Sequence, residues 1–199
     1  MRPALSTASL AAALLMAAAL AAPALAQVVR PPSVPIPERT AAGPSTSGPA
    51  RPASWTLTPQ GYGPVRIGMT RAQVNRALRE TLTPRSEWEE DACESGTAAS
   101  LPGMIFMFED GRLTRISLYE ESAVRTPRGL GIGSTEAEVR RLYPGLEEEE
   151  HTYVGAPGLY LTYWVTPKKR GVRFETNSER KVSAVHAGLD SITYIEGCL

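Results

Sequence analysis

Two histidines, His151 and His186, are the only near-neutral bases in the chain. His151 follows directly on Glu147, Glu148, Glu149 and Glu150, so one segment sets an imidazole beside four carboxylates. Such a set could hold a metal ion, but a run of adjacent acids after a helix reads better as a solvated charge patch, and no metal is expected there. His186 lies in a strand-like stretch four residues before Asp190 and reads as a half-exposed strand residue. Glu87, Glu89, Glu90 and Asp91 could be paired into the two carboxylates of a glycoside hydrolase, yet nothing in an acidic loop selects among them. No G-x-S-x-G elbow, H-E-x-x-H helix or phosphate loop occurs. "GLGIG" at 129–133 lacks the third glycine spacing of a dinucleotide loop. The reading is therefore a protein without catalytic residues or cofactor.

Cys93 and Cys198 are the only cysteines. Neither sits in C-x-x-C or beside a histidine that would lower its pKa, so a disulfide is expected rather than a reactive thiol.

The elements that would position these groups are announced by a repeated phrase. "IGMTRAQV" at 67–74 returns as "IGSTEAEV" at 132–139. Thr70 with Gln73, and Thr135 with Glu138, each have the spacing of a capping box, in which the hydroxyl takes an orphan amide of the first helical turn and the longer side chain reaches back. Helices are predicted to start at both threonines. The first carries Val74, Leu78 and Leu82 on one stripe, the second Val139, Leu142 and Tyr143, and Pro144-Gly145 ends the second.

Downstream of each helix lie strands. "MIFMFEDGRLTRISLY" places Asp110-Gly111 between two strand-like runs, a tight-hairpin signal, and "GVRFETNSERKVSAVHA" repeats the pattern with a longer turn. If Asp110-Gly111 is a two-residue turn, Ile105, Met107, Ile116 and Leu118 share one face, and Phe106 and Phe108 share the other with Leu113 and Arg115. In "GLYLTYWV", Leu159, Leu161, Tyr163 and Val165 form one set and Tyr160, Thr162 and Trp164 the other. With one face of each sheet under its helix, Phe106, Phe108, Tyr160 and Trp164 fall on the second face. They are either anchors on an open binding surface or core between two closed sheets. The expected fold class is α+β, built from two tandem repeats at about 61–124 and 128–198, each a helix packed on antiparallel strands.

This arrangement of "GYGPVRIGMT", "GLGIGST", "FET" and a terminal "YIEGC" over most of residues 61–198 resembles the beta-lactamase inhibitor protein fold, as in a group of uncharacterised exported bacterial proteins. The same opening phrase is found singly in small outer-membrane-assembly lipoproteins, whose lipobox cysteine is missing here. The resemblance implies a fold and a binding style, and names no target.

The remaining chain sets the context. Residues 1–26, with an apolar run from Leu10 to Ala22 and the small-residue site Ala24-Leu25-Ala26, read as a signal peptide. Residues 27–54, rich in Pro, Ala and Ser, read as a disordered linker, and 55–199 as the folded domain. Acidic and basic residues number 21 each, so no net field favours nucleic acid, and no further apolar span follows the signal. The expectation is a periplasmic or secreted, non-catalytic protein that binds a macromolecular partner through its sheet face, as an inhibitor or envelope adaptor would. A small envelope hydrolase and a purely structural envelope module are the alternatives.

Overall fold

Both capping boxes are formed in the computed structural model, which describes residues 55–85 and 92–198. The segments read as signal peptide and linker, and Glu87, Glu89, Glu90 and Asp91, lie outside the described residues. The Gln73 amide donates to Thr70 Oγ1 (3.3 Å) while the Thr70 amide donates to Gln73 Oε1 (2.8 Å). Thr135 and Glu138 make the same exchange at 3.3 and 2.8 Å. The helices that follow are short: α1 spans Arg71–Leu78 and α2 Glu136–Leu142. Leu82, expected on the α1 stripe, is buried beyond the helix. Arg79 takes a left-handed conformation (φ 55°), the Glu80 amide donates back to the Asn75 carbonyl, and the chain leaves the helix there.

The remaining regular structure is antiparallel sheet. β1 (Leu57–Thr58), β2 (Gly61–Tyr62) and β3 (Val65–Arg66) form a small three-stranded sheet. A second sheet has eight strands: β4 (Thr83–Pro84), β5 (Cys93–Thr97), β6 (Met104–Glu109), β7 (Arg112–Leu118), β8 (Glu147–Glu150), β9 (Leu159–Thr166), β10 (Arg170–Thr176) and β11 (Val182–Leu189). Their order is β4-β5-β6-β7-β11-β10-β9-β8. The expected α+β fold of two tandem helix-on-sheet repeats is thus corrected: the described residues are mostly antiparallel β-sheet, with two short helices. The physical reason is that a capping box encodes only a first helical turn. Strand pairing is decided elsewhere, and here β7 pairs with β11, joining the strands of both segments into one sheet.

That pairing aligns Leu118 with Val185, Ser117 with His186, Ile116 with Ala187 and Arg115 with Gly188. Gly188 has φ +148°, and a Cβ there would lie 2.1 Å from the Thr114 carbonyl oxygen, so only glycine fits this crossing. Asp110 and Gly111 (φ 48° and 70°) form the tight turn expected between β6 and β7. A bulge follows it, because Met107 pairs with Arg115 and Phe108 with Leu113, leaving Thr114 as the extra residue. The bulge changes the faces. Phe106 and Phe108 lie with Leu113 and Ile116, not with Arg115, and both phenylalanines are fully buried in the core with Val74 and Leu78 of α1 and Val139 of α2. Leu161, Phe174 and Val185 extend the same core across β9–β11.

Replacing Gly188 with Ala is expected to lower stability by at least about 2 kcal/mol, from backbone strain plus the carbonyl clash. Chemical denaturation followed by circular dichroism checks this.

Candidate functional site

The face of the large sheet opposite the core is crossed by the segment 190–198. It begins with a 3-10 turn, Asp190–Thr193, whose Ile192 is fully buried and reaches the space above Gly171. Two guanidinium groups rising from the sheet hold it down. Arg115 Nη1 donates to the carbonyls of Ser191 (2.9 Å) and Tyr194 (2.8 Å), and Arg173 Nη1 donates to that of Thr193 (3.1 Å). Cys198 then bonds Cys93 on β5, with a Cα–Cα distance of 5.4 Å, as expected from the cysteine count. The segment is a strap that leaves a cleft on either side, with Ile195 on the rim of both.

Beneath it lies a polar layer that the sequence did not announce. His186, expected half-exposed, is 3% exposed. Its Nε2 lies 2.9 Å from Glu175 Oε1 and its Nδ1 lies 2.8 Å from Ser117 Oγ. An ionised carboxylate only accepts, so Nε2 carries the proton and Nδ1 accepts from the serine hydroxyl. Burial pushes the His186 imidazole below its ordinary value and keeps it neutral. His151 Nδ1 accepts from the amides of Tyr153 and Val154, which turns its Nε2 towards Glu175 Oε2 at 3.4 Å. Burial alone would raise the Glu175 carboxyl, but the hydrogen bond from His186 and the nearby Arg173 guanidinium outweigh it and hold it below the usual carboxylate range. Ser117, His186 and Glu175 have the order of a hydrolytic triad, yet Ser117 is 1% exposed and its hydroxyl has no approach for a substrate. These groups tie β7, β11 and β10 together. The signal that could have found them is the polar set at alternate positions of three strands, visible only once the pairing is known.

The acidic run is a strand, not a loop. As β8 pairs with β9, its glutamates alternate faces. Glu148 meets Arg140 of α2 (2.9 Å), while Glu147 meets Lys168 and Glu149 meets Arg173 (2.6 Å) on the strap side. The run is solvent-exposed, as the sequence implied, and three of its carboxylates are in addition paired with cations of other elements. Among the described residues, no group of three or more His, Cys, Asp or Glu side chains is arranged to hold a metal ion.

The four aromatics proposed as anchors separate. Phe106 and Phe108 are core. Tyr160 and Trp164 share the strap side of β9, but Tyr160 is 3% exposed, stacked on His151 (4.4 Å between ring centroids) and covered by the Arg173 guanidinium (4.1 Å). Trp164 is half-buried. It lines a groove of about 520 Å³ between β8 and the strap, together with Glu147, Thr162, Arg173, Asp190 and Ile195. Thr162 Oγ1 and Arg173 Nε are buried with no hydrogen-bond partner among the described residues.

Two outcomes are expected from the strap and the layer beneath it. Replacing Cys93 and Cys198 by Ser removes a link across 105 residues, and stability should fall by roughly 4–5 kcal/mol on a chain-entropy argument; denaturation of the oxidised and variant proteins measures it. The folded His186 titrates below its unfolded value of about 6.5, so the unfolded chain binds a proton that the folded one refuses, and stability falls as pH drops below that point. Glu175, also held low, adds to the loss below its ordinary value of 4.5. Melting temperatures between pH 7.5 and 4 should decline, and decline less in His186→Gln.

No protein-family model and no curated protein matches the chain. Among solved structures it is similar to a cysteine-rich secretory protein from Staphylococcus aureus subsp. aureus Mu50, at 10% identity and a TM-score of 0.34. The match covers 61% of this chain and 44% of that one, less than half of the other protein's length.

Proposed function

We propose that this is an exported, non-catalytic binding protein that engages a macromolecular partner of the cell envelope through the strap side of its large sheet. The observation that carries the reading is the groove beside Trp164: one aromatic ring is left partly open next to a buried hydroxyl that has no partner among the described residues. An unpaired buried hydroxyl costs about 1–3 kcal/mol, which a ligand can recover. The sheet edges support a face rather than an edge as the contact. β8 is a row of four exposed glutamates and β4 is two residues long and contains Pro84, both features that discourage strand addition.

The compartment is proposed as periplasmic or secreted. The Cys93–Cys198 disulfide fits an oxidising environment, and the amino-terminal segment has the pattern of an export signal. Among the described residues, no helix is long and apolar enough to cross a membrane. Of the four strand aromatics, Trp164 alone stays partly exposed.

Oxidised protein used as bait in an envelope extract should retain a partner that Trp164→Ala loses while keeping its circular dichroism spectrum. If Trp164→Ala unfolds instead, Trp164 is a core residue and the proposed face is wrong.

A further inference from the structure

Resting on that reading, we propose that the groove beside Trp164 is a saccharide site, taking a short, neutral or amine-bearing hexose chain. Its volume of about 520 Å³ falls within the range of ~300–1,000 Å³ usual for small-ligand sites. Three features of its lining select the chemistry.

The first is the platform. Trp164 pairs with Gly171, where a Cβ would lie 3.1 Å from the indole Cε3, so the missing side chain lets the ring settle against the neighbouring strand. The indole N–H donates to Glu147 Oε2 at 3.0 Å, which fixes the ring's orientation. The Lys168 ammonium lies over this ring, 5.7 Å from its centroid, and the C–H face of a pyranose, which the ring's negative quadrupole also complements, would take its place.

The second is the charge balance. Glu147 is paired with Lys168 and Glu149 with Arg173, so the groove's most prominent acids are already neutralised. A basic peptide entering it would have to displace one of these cations. The open carboxylates at its margin, Glu150 and Asp190, leave a negative rim that disfavours uronic acids and phosphorylated sugars.

The third is the hydrogen-bonding capacity left over. Thr162, 2% exposed, has a hydroxyl without a partner among the described residues, and Arg173 Nε is a donor in the same condition. Filling both requires a ligand that accepts from the guanidinium and can either donate to or accept from the threonine. A polyol does this with adjacent hydroxyls, whereas an ammonium group only donates.

Isothermal titration of the oxidised protein should show binding of the N-acetylglucosamine trimer or the glucosamine trimer, and none of the galacturonic acid trimer or trilysine. Trp164→Ala should weaken binding by about tenfold or more, and the isosteric Thr162→Val by about threefold or more, as expected for losing a platform and a buried hydrogen bond. Trp55→Phe, outside the groove, should leave it unchanged. Binding indifferent to both groove variants overturns the site. Trilysine binding in place of sugar, or no sugar binding while an envelope partner is still captured through Trp164, overturns the saccharide class and leaves the binding reading. Loss of sugar and partner alike removes both.

Discussion

Everything above the core depends on the pairing of β7 with β11. It is the seam that makes one eight-stranded sheet, and it brings residues 115–118 against residues 185–188 across a long stretch of chain. The seam is permitted by Gly188, which passes the Thr114 carbonyl where no side chain would fit, and by the bulge that makes Thr114 the extra residue. Once it closes, alternation along the strands sorts the side chains. Phe106, Ile116, Val185 and Phe174 go to the core, while Arg115, Ser117, His186, Glu175 and Arg173 go to the other side.

A row of polar and charged groups on one sheet face costs a great deal unless each is answered. The fold answers them in two ways. Imidazole, hydroxyl and carboxylate satisfy one another laterally across the strands, and the two arginines turn outward to the carbonyls of the strap. Ionic hydrogen bonds are stronger than neutral ones, so the two clamps are well suited to hold an irregular segment that has no strand partner. Of the unpartnered buried atoms among the described residues on this side, which also include Arg115 Nε and Ser191 Oγ, Thr162 Oγ1 and Arg173 Nε belong to the groove that the strap leaves uncovered. This is why the binding reading and the stability of the polar layer are parts of one arrangement.

Local chemistry was legible in the sequence. The capping boxes, the Asp110-Gly111 turn and the Cys93–Cys198 bond each follow from a few residue types at fixed spacing, and each is present. What was misread depends on distant partners. Nothing in "GRLTRISLY" marks Thr114 as the bulged residue, so the face shared by Phe106 and Phe108 came out wrong. Arg79 ends α1 in a conformation usually left to glycine, and its identity gives no sign of it. The repeated phrase encodes two helix starts and not two repeats, because similarity of local chemistry says nothing about which strands will pair. His186 became a buried hub only through Ser117 and Glu175, which come from other strands. Of the groove, the sequence shows Trp164 as a strand aromatic on the face away from its helix, but not the strap that makes a groove of its surroundings.

The strap also fixes an order in time. Synthesis proceeds from the amino end, so Cys93 leaves the ribosome 105 residues ahead of its partner and waits as a lone thiol while β6 to β11 are made. The covalent closure needs residues beyond β11, so it comes after the sheet's central seam has become possible, and it ties down a wall that both clefts share. A cleft wall that is tied down last is completed only when the rest of the fold is already in place.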